Sequence, residues 1–176
     1  NDLHLYPDGN GTKLKEEISN HENVPFNNII IGNGSNEILE LAARAFLNSN
    51  TSSIASKHAF AVYKIVTQSA GASLIEVPTC NWDHDLRSFN DYLESSTRII
   101  FIANPNNPTG TYNSHEEVHS LLKKVPSSVL VVLDCAYFEY VTKEDYVKPL
   151  DLLDEFDNLL ITKTFSKIHG LASIRV

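Results

Sequence analysis

Arg98-Ile99-Ile100-Phe101-Ile102-Ala103 and, farther along, Val129-Leu130-Val131-Val132-Leu133 closing on Asp134 are short runs that are apolar on both faces. A strand with one face in water alternates apolar and polar residues, whereas a strand covered on both sides does not. Shorter bursts recur at Ser53-Ile54-Ala55-Ser56, Ser73-Leu74-Ile75-Glu76-Val77 and Leu159-Leu160-Ile161-Thr162. The stretches between them carry the helical period. Ile38, Leu39, Ala42, Ala43, Phe46 and Leu47 form one apolar stripe, and Val118, Leu121 and Leu122 another. Ser114-His115-Glu116-Glu117 reads as a capping box that starts the second of these helices. Strands alternating with helices predict an α/β fold, a three-layer α/β/α unit around a mostly parallel sheet. Gly9-Asn10-Gly11 and residues 105–110 read as turns within that unit, and no repeat or linker divides it.

The chain has 176 residues, with 14 Lys and Arg against 22 Asp and Glu for a net charge of -8. That balance speaks against a nucleic-acid partner, since no basic run exceeds Lys123-Lys124. Two cysteines, Cys80 and Cys135, do not suggest a disulfide framework. No apolar run reaches the roughly 18 residues of a membrane span, so a cytoplasmic protein without a membrane partner is expected. Asn1-Asp2-Leu3-His4 has the features neither of a start nor of a signal peptide, and Ile174-Arg175-Val176 reads as a strand entered from Gly170-Leu171-Ala172. The expectation is a section of a longer protein.

Some motifs mislead. His115-Glu116-Glu117-Val118-His119 matches the zinc-peptidase pattern H-E-x-x-H, but His115 directly follows a cap and no third ligand is near in sequence. A solvated helix face is the better reading, and no metal is expected. Gly9-Asn10-Gly11-Thr12-Lys13 and Gly32-Asn33-Gly34-Ser35 lack P-loop spacing. The second follows Ile29-Ile30-Ile31 and leads into the helix of Glu37, so its free amides either form a plain turn or hold an anion.

Lys167 in Thr164-Phe165-Ser166-Lys167 follows a strand with an interior face, and a lysine made neutral by its surroundings can attack an aldehyde cofactor. Thr164 and Ser166 offer hydroxyls to a phosphate there, and Arg175 a bidentate clamp. The alternative is a solvated loop lysine with a surface arginine. Asp134 bears on the choice, because a carboxylate at the end of a buried strand needs a cation, and a protonated pyridine nitrogen is one. Tyr137 and Asn107 can donate to a phenolic oxygen from either side. Each also has a structural reading, Asp134 as a turn cap and Asn107-Pro108-Thr109-Gly110 as a turn. Their conjunction at one sheet edge is the signal.

The chain resembles the fold-type I pyridoxal-phosphate aminotransferases, and within them the histidinol-phosphate aminotransferases. The resemblance runs through Tyr6-Pro7-Asp8-Gly9, Gly32-Asn33-Gly34-Ser35-Asn36-Glu37, His58-Ala59-Phe60-Ala61-Val62-Tyr63, Asn104-Pro105-Asn106-Asn107-Pro108-Thr109-Gly110, Asp134-Cys135-Ala136-Tyr137 and Thr164-Phe165-Ser166-Lys167 with Arg175. It implies an aspartate-aminotransferase-like large domain, incomplete at both ends, with a small C-terminal domain and its substrate-carboxylate arginine lying outside the chain. It implies pyridoxal 5'-phosphate as cofactor, with Lys167 as the covalent attachment point and proton carrier and Asp134 paired with the ring nitrogen. By the same resemblance Asn107 and Tyr137 bind the phenolic oxygen, and Phe60 stacks on the ring where many members have Tyr. Ser35, Asn36, Thr164, Ser166 and Arg175 match the phosphate site. Tyr6 matches a tyrosine that reaches the cofactor of the other subunit in a homodimer. His58 stands where proline is common, and Cys135 where Glu is frequent.

The implied reaction moves an amino group between L-histidinol phosphate, a small phosphorylated amine, and 2-oxoglutarate to give glutamate, in histidine biosynthesis. An aromatic transaminase or a phosphothreonine decarboxylase of the same fold, or a regulator's sensor domain, are the other readings. In the resembled fold the strand beginning at Ile174 is expected antiparallel between the Leu159 strand and the Ser53 strand.

Overall fold

The computed structural model describes residues 4–175. In chain order the helices are α1 (Thr12–Glu22), α2 (Ser35–Phe46), α3 (Val62–Ser69) and α4 (His115–Leu122). The strands are β1 (Ser52–Ser56), β2 (Ser73–Val77), β3 (Thr79–Cys80), β4 (Asp83–His84), β5 (Thr97–Ala103), β6 (Leu130–Asp134) and β7 (Leu159–Thr162). Five of them form one sheet in the order β2-β1-β5-β6-β7, every neighbouring pair parallel. β3 and β4 make a separate two-residue hairpin ladder.

Both faces of this sheet are covered, which is why its strands lack a polar face. Along β5, Ile100 and Ile102 enter one apolar cluster, and Ile99, Phe101 and Ala103 enter the other. β6 divides in the same way, with Val131 and Leu133 on the first side and Val132 on the second. The first cluster is closed by Val118, Leu121 and Leu122 of α4 with Phe89 and Leu152 from short 3-10 turns. The second is closed by Leu39, Ala42 and Ala43 of α2 with Tyr63 and Val66 of α3. The three layers expected from the sequence are therefore present.

The local signal at the start of α4 acts as expected. Ser114 Oγ accepts from the Glu117 amide at 3.3 Å and Glu117 Oε2 accepts from the Ser114 amide at 2.9 Å, a complete capping box. The H-E-x-x-H histidines stack at 5.7 Å, but His119 Nε2 lies 2.9 Å from Glu155 Oε1 on the surface. Among the described residues no group of three His, Cys, Asp or Glu side chains could hold a metal. No helix among them is long and apolar enough to cross a membrane.

Two expectations are corrected. Phe46 belongs to the stripe by spacing but is 46% exposed, because α2 ends there and Leu47 turns inward in its place. The segment at Ile174 is not a strand. Residues 172–175 form turns, with the Ile174 amide donating to Leu171 O at 3.0 Å and Arg175 at φ 63, while Val176 lies outside the described residues. Nor is there a place beside the Ser53 strand, since β1 is hydrogen-bonded to β2 on one edge and β5 on the other. Among the described residues the sheet has β2 and β7 as its edge strands, and a groove along β7 is lined across the gap by Ile29 and Ile30.

Phe101 is fully buried and lies flat on the Tyr63 ring, centroids 4.9 Å apart. Phe101→Ala is expected to lower stability by about 3–5 kcal/mol in equilibrium urea unfolding, the usual cost of emptying a packed aromatic site.

Candidate active site

In a parallel sheet the carboxyl ends of all strands open on one edge, where loops collect polar groups. Register places Ala103, Asp134 and Thr162 side by side in the last row of that edge. The Asn104 amide donates to Asp134 O at 2.9 Å and the Cys135 amide to Thr162 O at 2.8 Å, extending the ladder into the loops. A cleft opens above this row. Ser35, Asn36, Phe60, Asn107, Asp134, Tyr137 and Lys167 line it together with Ala103, Pro105 and Ala136. Residues more than 130 positions apart in sequence thus share one cavity, as their common sheet edge led one to expect.

Asp134 is 4% exposed. Tyr63 Oη donates to its Oδ2 and Thr162 Oγ1 to its Oδ1, each at 2.9 Å. Burial raises its pKa above the ordinary 3.8, opposed by hydrogen bonds from Tyr63, Thr162 and the Ala136 amide and by the charge of Lys167. A carboxyl whose folded pKa is raised holds its proton more tightly folded than unfolded. Its contribution to stability is present below 3.8 and is lost as pH rises through the raised value. A cation placed in the cleft acts in the opposite sense.

Lys167 is exposed at the cleft and sets its Nζ 5.2 Å above the centre of the Tyr137 ring, a cation–π contact. Phe60 sits edge-on to Tyr63 at 5.8 Å, leaving it at the cleft wall.

α2 begins at the cleft with no side-chain cap on its first turn, so the amides of Ser35 and Asn36 are free first-turn donors. Arg175 reaches the same turn. Its Nη2 donates to Asn33 O at 3.1 Å, and a Cβ added at Gly34 would lie 2.8 Å from that nitrogen. Gly34 also has φ 73, a conformation that favours glycine, while the Arg175 side chain would have to move away from an added Cβ. Glu37 ties the turn down by accepting from the Asn33 amide at 2.6 Å.

Other expected site residues lie apart. Thr164 is buried, with Oγ1 accepting from the Ser166 amide at 3.1 Å, and neither lines the cleft. Both stand in the loop that carries Lys167. Tyr6 is fully exposed and outside the cleft.

The description aminotransferase class I and II belongs to the family whose profile matches residues 1–176. The chain belongs to the class I and II aminotransferases. It is 50% identical over 175 residues to histidinol-phosphate aminotransferase 2 of Pseudomonas fluorescens, covering 99% of this chain and 47% of that protein. It is 46% identical to the histidinol-phosphate aminotransferase of Caldicellulosiruptor saccharolyticus, over 99% and 49% of the two chains. The crystal structure of histidinol-phosphate aminotransferase from Sinorhizobium meliloti in complex with pyridoxal-5'-phosphate superposes with a TM-score of 0.93 at 27% identity, over 99% of this chain and 47% of that one. The chain spans about half the length of the curated relatives it matches.

The cleft of this class I and II aminotransferase chain fits pyridoxal 5'-phosphate by its own chemistry. A buried carboxylate awaits a cation, an amine stands opposite, an aromatic edge forms a wall, and an uncapped helix start beside an arginine suits a phosphate. Sequence reasoning passed over Tyr63, Thr162 and His84. Tyr63 lay inside a quoted motif, but its reach to Asp134 is a packing fact. His84 is buried behind the cleft, its Nε2 2.9 Å from Ala103 O and its Nδ1 2.7 Å from Ser56 Oγ. The carbonyl requires a donor, so Nε2 carries the hydrogen and Nδ1 accepts from Ser56. Burial lowers the pKa of His84 and keeps it neutral. His58, whose role was open, pairs Nδ1 with Thr79 Oγ1 at 2.8 Å, and its carbonyl accepts from Asn106 Nδ2 at 2.8 Å.

Gly34→Ala is expected to push Arg175 off the turn and weaken pyridoxal 5'-phosphate binding about tenfold, the scale of one charge-assisted hydrogen bond. Unphosphorylated pyridoxal, titrated in parallel, should lose much less.

Proposed function

We propose that the full-length protein is a pyridoxal-phosphate-dependent aminotransferase that moves an amino group between L-histidinol phosphate and 2-oxoglutarate, giving glutamate, in histidine biosynthesis. The observation that carries the reading is the buried carboxylate of Asp134 in the same cleft as Lys167. The names of the relatives support the substrate, and the fold by itself does not choose one. In this reading residues 1–176 are part of a cofactor-binding large domain, and a small C-terminal domain supplies the arginine for the substrate carboxylate. The protein works as a cytoplasmic homodimer, and the full exposure of Tyr6 supports its contact with the other subunit's cofactor.

When bound, pyridoxal 5'-phosphate supplies an aldehyde that takes up an amino group and a ring that withdraws electrons from the substrate's α-carbon. Asp134 keeps a negative charge beside the ring nitrogen and so favours its protonation. Tyr137 and Asn107 donate to the phenolic oxygen, and Phe60 covers a ring face. Ser35 and Asn36 with Arg175 hold the phosphate, helped by Thr164 and Ser166 in the loop that carries Lys167. Lys167 Nζ would take the proton from the substrate's α-carbon and deliver it two atoms away, across the nitrogen, at the carbon that began as the aldehyde.

With purified full-length protein, glutamate formation from 2-oxoglutarate should be supported by histidinol phosphate and far less by aromatic amino acids. The reverse preference would sink the substrate assignment, and carbon dioxide release would sink transamination. Borohydride should fix the cofactor to the peptide containing Lys167, and Lys167→Ala should lose both the label and turnover. Asp134→Ala is expected to keep the label while turnover falls.

For the dimer, Tyr6→Phe should weaken cofactor retention by about 1–2 kcal/mol. Sedimentation should show two subunits, and a monomer that kept its cofactor would refute the shared site.

A further inference from the structure

A carboxylate offers about four lone-pair directions to donors. At Asp134 the protein supplies Tyr63 to Oδ2 and Thr162 to Oδ1, and the nearby Ala136 amide also favours the charged form. Tyr63 is 1% exposed and its ring is nearly parallel to Phe101, with an interplanar angle of 5°. The Phe60 ring meets it from the side at 88°. The phenol is therefore held by packing on two sides, and its hydroxyl is aimed rather than free to rotate away. Thr162 occupies the neighbouring strand in register with Asp134, so its hydroxyl is fixed by the sheet itself. Donors thus reach both oxygens from two different elements, α3 and β7.

We propose that Tyr63 and Thr162 are positioning residues that keep the Asp134 carboxyl ionised and fix its plane, leaving its remaining acceptor direction for a cation in the cleft. The inference rests on the reading that Asp134 pairs with the cofactor's ring nitrogen. Without these donors a carboxyl this deeply buried takes up a proton, and a neutral acid does not favour protonation of the ring. Tyr63 suits the task because burial first, and the Asp134 charge second, push its pKa well above 10.0, so it stays a donor at any working pH. The other ionisable groups that act on this carboxyl are Lys167, which favours its charge, and the buried Cys135 and Tyr146. Burial raises the pKa of both, so they remain neutral.

The variants remove hydroxyls and keep shape. Tyr63→Phe retains the stack on Phe101, Thr162→Val retains the β-branch, and Thr162→Ser restores a donor. The readout is the carboxyl carbon of Asp134 followed by 13C NMR during pH titration of the full-length protein without cofactor, its resonance assigned with Asp134→Asn. Tyr63→Phe and Thr162→Val should each raise the proton affinity of Asp134 about tenfold, and Thr162→Ser should bring it back. A residue that merely fills the core would leave that titration in place. Folded Tyr63→Phe and Thr162→Val proteins whose Asp134 titrates as in the parent would overturn the proposal. A second measurement separates it from the reading beneath it. If Asp134 titration moves as expected while pyridoxal 5'-phosphate affinity does not change, the two residues do hold the carboxylate and the ring-nitrogen pairing is what fails.

Discussion

A carboxylate held almost out of water at the end of a parallel strand is the constraint on which this molecule turns. Burying an ion costs several kcal/mol unless donors and a countercharge compensate. At Asp134 the donors come from α3 and β7, so two elements on different sides of β6 must be correctly seated for the group to be tolerated. Tyr63 is seated by its stack on Phe101, a β5 residue, and Thr162 by its register with β6. The site's electrostatics and the sheet's packing are therefore one problem, and a change in either is felt by both.

The loops around the cleft are held by a second buried network. Asn104 and Asn113 exchange hydrogen bonds at 2.9 and 3.0 Å, Asn113 Nδ2 donates to His84 O at 3.0 Å, and His84 bridges the ends of β1 and β5. Buried hydrogen-bonded groups of this kind hold a backbone in place, although Asn113 Oδ1 itself is buried without a partner. Residues 104–110 accordingly present Pro105 and Asn107 to the cleft from a clamped base. At the opposite wall the helix start of α2, the absent side chain of Gly34 and the Arg175 guanidinium make an anion site from backbone as much as from side chains.

Charge along the chain follows the same division. Some acidic and basic side chains pair on the surface, as Arg44 does with Glu40 at 2.6 Å, where solvent keeps the contribution small. Within the cleft the charges are few and opposed, with Asp134 at the floor and Lys167 at the rim. The H-E-x-x-H histidines share a helix face, where His119 meets Glu155 and the edge of Phe156.

Patterns set by near neighbours in the chain were readable directly. The doubly apolar runs of β5 and β6, the stripe of α4 and the Ser114 capping box each follow from spacing, because strand and helix periodicity are local properties. Lys167, Asp134, Asn107 and Tyr137 were found as candidates because their residue types suit a chemistry and their motifs lie where strands end, whereas Phe60 came from the family resemblance alone. What the sequence did not contain was the pairing order. The resemblance placed a strand at Ile174 beside β1, whereas ladder bonds give β1 two parallel neighbours and leave β2 and β7 as the edges. Nor did the sequence contain Tyr63 and Thr162 as partners of Asp134, or His84 as a buried bridge, because a hydrogen bond between residues 71 positions apart depends on the packing of three layers. Side-chain type and local spacing name the groups that can react. Tertiary packing decides which of them face one another, how deeply they are buried, and so what charge each one carries.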